Sequence, residues 1–155
     1  MTTHALTRRE WLAAAAGALA LAATGRSAHA LAAPAITIYK SPSCGCCAKW
    51  VDHMKAAGFA TTVRDTEGMD AIKQRNGVPA AMQSCHTALV GGYVVEGHVP
   101  AADVLRLLRE KPAGVRGLAV PGMPQSAPGM ATPGQPIEPY DVMAFGATTR
   151  VFAKH

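Results

Sequence analysis

The sequence predicts an α/β domain of element order β-α-β-α-β-β-α, followed by a Pro/Gly/Met-rich extension that closes with a short hairpin. Three observations predict it. Runs of β-branched residues alternate with helical periodicity from residue 35 onward. Gly91-Gly92 separates two such runs in the way of a two-residue hairpin turn. Beyond residue 111 the composition shifts to proline and glycine.

Ala35-Ile36-Thr37-Ile38-Tyr39 reads as the first strand, and Ser41-Pro42-Ser43 as the turn that ends it. Residues 46–58 read as a helix, because Trp50, Val51, Met54 and Ala57 recur at helical spacing and Gly58 stops it. Residues 59–64 form the second strand and residues 69–75 the second helix, with Pro79 opening a further helical turn. Thr87-Ala88-Leu89-Val90 and Tyr93-Val94-Val95-Glu96 are the arms of the glycine hairpin. Residues 100–109 form a third helix with Val104, Leu105, Leu107 and Leu108 on its core side. Parallel first strands with a terminal hairpin and helix follow the thioredoxin or glutaredoxin plan. Residues 112–139 hold seven prolines and five glycines, too many for regular structure. Residues 141–145 and 149–153 read as the closing hairpin around Gly146. Pro-Gly-Met occurs twice in the extension, ending at Met123 and at Met130.

Residues 1–30 read as an address. Thr7-Arg8-Arg9-Glu10-Trp11-Leu12 is similar to the twin-arginine export consensus, residues 12–23 are apolar and uncharged, and Ala28-His29-Ala30 supplies a small-x-small cleavage pattern. The apolar stretch is shorter than the roughly 20 residues that span a bilayer. Cleavage after Ala30 therefore predicts an exported periplasmic protein without stable membrane insertion. The expected divisions are a signal at 1–30, a thioredoxin-like metal-binding domain at 31–111 and an extension at 112–155 that packs on it. Without the signal, 12 basic and 9 acidic residues remain. That mild positive balance, scattered and without an aromatic platform, excludes nucleic acid as the expected partner.

All four cysteines lie in the mature part, at Cys44, Cys46, Cys47 and Cys85. Three cysteines within four residues fit a structural disulfide poorly and suit a soft metal or redox chemistry better. Cys44-Gly45-Cys46-Cys47 stands where a strand hands over to a helix, and a helix N-terminus favours the thiolate, which is both nucleophile and metal ligand. The hairpin supplies distant ligands. A turn at 91–92 pairs positions whose numbers sum to 183, so Thr87 faces Glu96 and, continued outward, Cys85 faces His98 on one sheet face. With the third strand antiparallel to the first, all of these groups converge on the end of the sheet where Cys44 begins. His86 alternates to the other face and ranks below His98.

Thiolates and imidazole select Cu(I) or Zn(II). Cys₃His would satisfy zinc, but the export signal and the loop methionines Met123 and Met130, weaker candidate ligands or parts of a lid, favour copper. The rival to a copper site is a thiol–disulfide oxidoreductase using Cys44 and Cys47 as the exchange pair. Copper-redox or disulfide-exchange catalysis is therefore an open alternative to simple binding.

Several stretches carry a resemblance: residues 39–47, Trp50-Val51, Ser84-Cys85-His86-Thr87-Ala88, Tyr93, Glu96-Gly97-His98-Val99-Pro100, and residues 117–124. Together they resemble the CopG-type family of small exported copper-resistance proteins. The resemblance implies a thioredoxin-like fold, Cu(I) held by Cys44, Cys46, Cys47, Cys85 and His98, and a role in periplasmic copper resistance. It further implies redox chemistry on the bound copper in some members, and exchange with other periplasmic copper-handling proteins. Some members carry a further cysteine near the second motif, where this chain has Cys85 alone.

Overall fold

In the computed structural model, residues 33–132 and 134–155 are described. The expected export signal at 1–30 lies outside them. Ala35–Lys40 forms β1, Gly45–Ala56 α1, Ala60–Asp65 β2 and Met69–Arg75 α2, followed by a 3₁₀ turn at Ala80–Met82. Thr87–Val90 and Tyr93–Glu96 form β3 and β4, Ala101–Glu110 forms α3, and Val115–Ala119, Asp141–Gly146 and Arg150–Lys154 form β5, β6 and β7. The β-α-β-α-β-β-α order is present, with three further strands after it.

The strands make a seven-stranded sheet in the order β2-β1-β3-β4-β5-β6-β7. β1 pairs with β2 in parallel and with β3 antiparallel, so the start of β3 lies beside the end of β1. The hairpin register is as the two-glycine turn predicts, with Val90 opposite Tyr93 and Thr87 opposite Glu96. β4 and β5 are parallel, joined through α3.

Period-two alternation divides the sheet into two faces. Ile36, Ile38, Ala88, Val90 and Val95 share one core with Trp50, Val51 and Met54 of α1 and with Val104 and Leu107 of α3. Trp50 is fully buried there, and truncating such a residue costs about 3–5 kcal/mol. On the other face, α2 sends Lys73 to Thr87 and Glu96, and Val78, Val94, Ala119 and Phe145 form a smaller cluster.

The proline-rich segment departs from expectation in one place. Residues 112–139 were expected to lack regular structure, yet Val115–Ala119 is a strand. Proline content misleads there because residues 115–119 contain none. Gly117 is the residue that lets β5 approach, since a Cβ on it would fall 2.2 Å from the Val94 carbonyl oxygen and 2.6 Å from the Phe145 ring. The rest of the segment returns over the α1 side, burying Ala127 in the main core with Met130 packed against it.

Candidate metal centre

α1 begins at the cysteine motif. Cys44 is its N-cap, and its sulfur accepts a hydrogen bond from the Cys47 amide at 3.4 Å. Cys46 and Cys47 therefore lie in the first turn, where free amide donors and the helix dipole favour negative charge. Cys47 is fully buried, and Cys46 is half-buried with its sulfur 3.5 Å from that of Cys44. Trp50, one turn further on, donates its indole N–H to the Val99 carbonyl at 2.9 Å, which ties α1 to the segment leaving β4.

Cys85 and His98 lie just outside the β3–β4 ladder and face each other, with the sulfur 3.0 Å from His98 Nε2. Gly97 makes this possible. Its φ is +70°, and a Cβ there would meet the Ser84 side chain at 2.5 Å and the Val120 carbonyl at 2.8 Å. His98 Nδ1 lies 2.7 Å from the Pro128 carbonyl oxygen. A carbonyl can only accept, so Nδ1 carries the proton and Nε2 turns a lone pair toward Cys85. The proline-rich segment thus sets the tautomer of a site residue, a role with no signal in the sequence.

His86 corrects an expectation. Alternation puts it on the sheet face opposite Cys85, and that face is the one α1 covers with its own cysteines. His86 is fully buried, its ring 4.4 Å from Trp50 and 5.0 Å from His98, with Nδ1 3.3 Å from the Cys85 sulfur. Its Nε2 is buried without a hydrogen-bond partner. A buried nitrogen left unpaired is costly, and the His86 nitrogen that faces the cysteines is the other one, Nδ1.

Ligand atoms of Cys44, Cys46, Cys47 and Cys85 all lie within 4.8 Å of one another, and so do those of Cys47, Cys85, His86 and His98. The two quartets share Cys47 and Cys85. Sulfurs that share one soft metal stand about 4 Å apart, given metal–sulfur bonds of about 2.3 Å. The donor set fits a soft cation.

The poor fit expected of a disulfide among the clustered cysteines also needs correction, and the pair that closes is the one named for disulfide exchange. Cys44 and Cys47 are joined by a disulfide with Cα atoms 5.4 Å apart, well inside the usual range, because one helical turn brings positions i and i+3 together. Cys46 and Cys85 are free. Both sulfurs of the pair become full metal ligands only on reduction.

Burial favours the neutral forms of Cys85, His86 and His98. Burial, then the neighbouring Cys46, pushes the Cys85 thiol up to about 12. Burial, and then the charges of His98, Lys73 and Lys40, hold His86 well below the usual imidazole range. Burial also lowers His98, against the opposing hydrogen bond to Pro128. Met123 is 56% exposed, whereas Met130 is half-buried on the core. The lid contact comes from backbone: Gly122 accepts from Ser84 Oγ at 2.6 Å, and a Cβ on Gly129 would stand 2.8 Å from the Trp50 nitrogen.

Sequence reasoning also missed Lys73 and Glu96 beneath the site. The hairpin pairing, which sets Thr87 opposite a glutamate, was a signal for Glu96, and nothing in the pattern marked Lys73.

A family model described as "Protein of unknown function, DUF411" matches residues 82–130, the stretch from Met82 to Met130 that includes Cys85, His86 and His98. The solved structure "Copper resistance protein copG- Form 2" is 42% identical, with a TM-score of 0.74 and a match covering 79% of this chain and 98% of that one. "Copper resistance protein copG- Form 1" is likewise 42% identical, with a TM-score of 0.72 and coverage of 78% and 96%. No curated protein matches the chain. With this identity sustained over nearly the whole of a solved relative, the chain belongs to the CopG-like copper-resistance family.

Proposed function

We propose that the chain is a periplasmic copper-binding protein that holds Cu(I) among Cys44, Cys46, Cys47, Cys85 and His98, with His86 as a further ligand, and contributes to copper resistance. The observation that carries this reading is the pair of overlapping quartets, each with its ligand atoms within 4.8 Å. Thiolate and imidazole donors select Cu(I) or Zn(II) on softness. The names of the solved relatives favour copper over zinc. Because the quartets share Cys47 and Cys85, the arrangement suits sulfur-bridged coppers as well as a single ion. Export rests on the twin-arginine-like Thr7-Arg8-Arg9-Glu10-Trp11-Leu12 and on Ala28-His29-Ala30. Among the described residues no helix is long and apolar enough to cross a membrane. Exchange of copper with other periplasmic copper-handling proteins follows from the same reading.

The test is metal analysis of protein reduced anaerobically and offered copper and zinc together. Copper should be retained after desalting, and Cys85→Ser should lower Cu(I) affinity at least tenfold, since loss of a ligand costs no less than loss of the support behind one, while the circular dichroism spectrum is unchanged. Retention of zinc with loss of copper would refute the reading.

A second reading, thiol–disulfide exchange, is favoured by the Cys44–Cys47 disulfide at the start of α1. Under it, metal-free protein reduces insulin robustly, Cys44→Ser abolishes that activity, and Cys85→Ser leaves it intact. The half-buried Cys46, 3.5 Å from the Cys44 sulfur, stands against it, since it would capture a mixed disulfide. Redox chemistry on bound copper is the finer form of the copper reading.

A further inference from the structure

Lys73 and Glu96 form an ion pair on the sheet face opposite α1, 5% and 0% exposed. Glu96 Oε1 accepts from Lys73 Nζ and from the Ser84 amide at 2.7 Å. Oε2 accepts from Thr87 Oγ1 at 2.7 Å. Lys73 Nζ also reaches Thr87 Oγ1 at 3.3 Å. A buried ion pair is weak evidence for stability, because apolar residues of similar volume usually serve as well. What an apolar pair could not do is hold the Ser84 N–H.

That bond has a specific position. Ser84 directly precedes Cys85 and His86, outside the β3 ladder, where the last backbone tie to the β4 side is the Gly97 N–H donating to the His86 carbonyl at 2.9 Å and the Ser84 amide has no strand partner. Glu96 directly precedes Gly97 and His98 at the end of β4. One carboxylate therefore joins the two chain ends that carry Cys85, His86 and His98. We infer that Glu96, kept in place by Lys73 and Thr87, is a positioning residue that clamps the Cys85–His86 loop against His98 and so presets the mixed Cys/His part of the metal centre. The inference rests on the copper reading for its consequence, though the clamp itself is a property of the metal-free protein.

Two double variants isolate the bond. Lys73→Met with Glu96→Gln removes both charges and keeps an oxygen for the Ser84 amide. Lys73→Met with Glu96→Leu removes both charges and that oxygen. Competition with a chromophoric Cu(I) chelator under anaerobic reducing conditions should show the glutamine variant near wild type and the leucine variant roughly 10–100-fold weaker, the loss expected when support behind a ligand is removed. Equal affinity in the two variants overturns the assignment. Should the leucine variant fail to fold, Glu96→Asp replaces it. Aspartate keeps the charge beside Lys73 but is one methylene too short to reach Ser84 as well, so the same loss is expected and unchanged affinity is contrary. Alkylation of Cys85 in metal-free, reduced protein reads the clamp without copper. It should be faster in the leucine variant, or in Glu96→Asp if that replaces it, than in the glutamine variant, and equal rates overturn the clamp. Wild-type protein that takes up no Cu(I) would instead remove the copper reading, leaving the alkylation result to decide the clamp.

Discussion

His86 and His98 sit deep in the domain as neutral imidazoles, held so first by burial. Below the ordinary imidazole value of 6.5 the unfolded chain binds protons that the folded protein refuses. The contribution of these histidines to the stability of the metal-free protein is therefore fully present above 6.5 and is lost as pH falls through their depressed folded-state values. Unfolding midpoints in urea should decrease from pH 7 to pH 5, and His86→Leu should flatten that decrease. A profile for wild type that is level across this range would contradict the burial assigned to His86. Cys85 is shifted the other way, upward. With its thiol pushed up to about 12, Cu(I) can bind as thiolate only by displacing a proton. Apparent Cu(I) affinity should rise with pH between 6 and 8, roughly tenfold per unit for each proton displaced, with proton release measurable in weakly buffered solution.

At the scale of elements, the centre is made by three chain segments that leave regular structure at one end of the sheet. α1 brings Cys44, Cys46 and Cys47, the approach to β3 brings Cys85 and His86, and the exit from β4 brings His98. Two glycines control the approach. Gly97→Ala puts a Cβ against Ser84 and the Val120 carbonyl at φ +70°, so it should destabilise the protein by about 1–3 kcal/mol and loosen His98. Gly129→Ala pushes the Pro128 carbonyl away from α1, because its Cβ would stand 2.8 Å from the Trp50 nitrogen. That variant should weaken Cu(I) binding while leaving the β3–β4 hairpin intact, and an unchanged Cu(I) affinity would show that Pro128 does not orient His98.

The hairpin half of this geometry was legible in the sequence, since a two-residue turn sets the register and the register sets Cys85 against His98. His86 was not, because alternation says which residues share a face but not which face a helix will cover. The Cys44–Cys47 pairing was legible only as the exchange pair of the rival reading, because C-x-x-C spacing serves redox pairs and metal knuckles alike. Its closure depends on the helical turn beginning at Gly45, one residue earlier than the periodicity suggested. Pro128 and Lys73 were invisible as site partners, since their contacts bridge 30 and 23 residues of chain with no local pattern to mark them.

Over the whole molecule, β5, β6 and β7 continue the sheet that β1 to β4 begin, and Leu118, Val120, Val142 and Ala144 belong to the same core as Trp50 and Ile38. A chain ending at Glu110 would leave β4 with an open edge, remove those residues from the core and deprive His98 of the Pro128 carbonyl. It should be insoluble or unfolded by circular dichroism, and a soluble fragment with native copper affinity would show that the later strands are dispensable. The proline-rich segment explains its own length in these terms. Its prolines lower the entropy of ordering it, and what it delivers is backbone at Gly122, Pro128 and Gly129 against the loops of the centre. The central claim, that these loops present sulfur and imidazole together to copper, is tested most directly by copper K-edge X-ray absorption on the full-length protein loaded anaerobically with Cu(I). The account predicts scattering dominated by sulfur at about 2.3 Å, with an imidazole contribution and a lower sulfur count in Cys85→Ser. A first shell of oxygen and nitrogen alone, unchanged by Cys85→Ser, would contradict it.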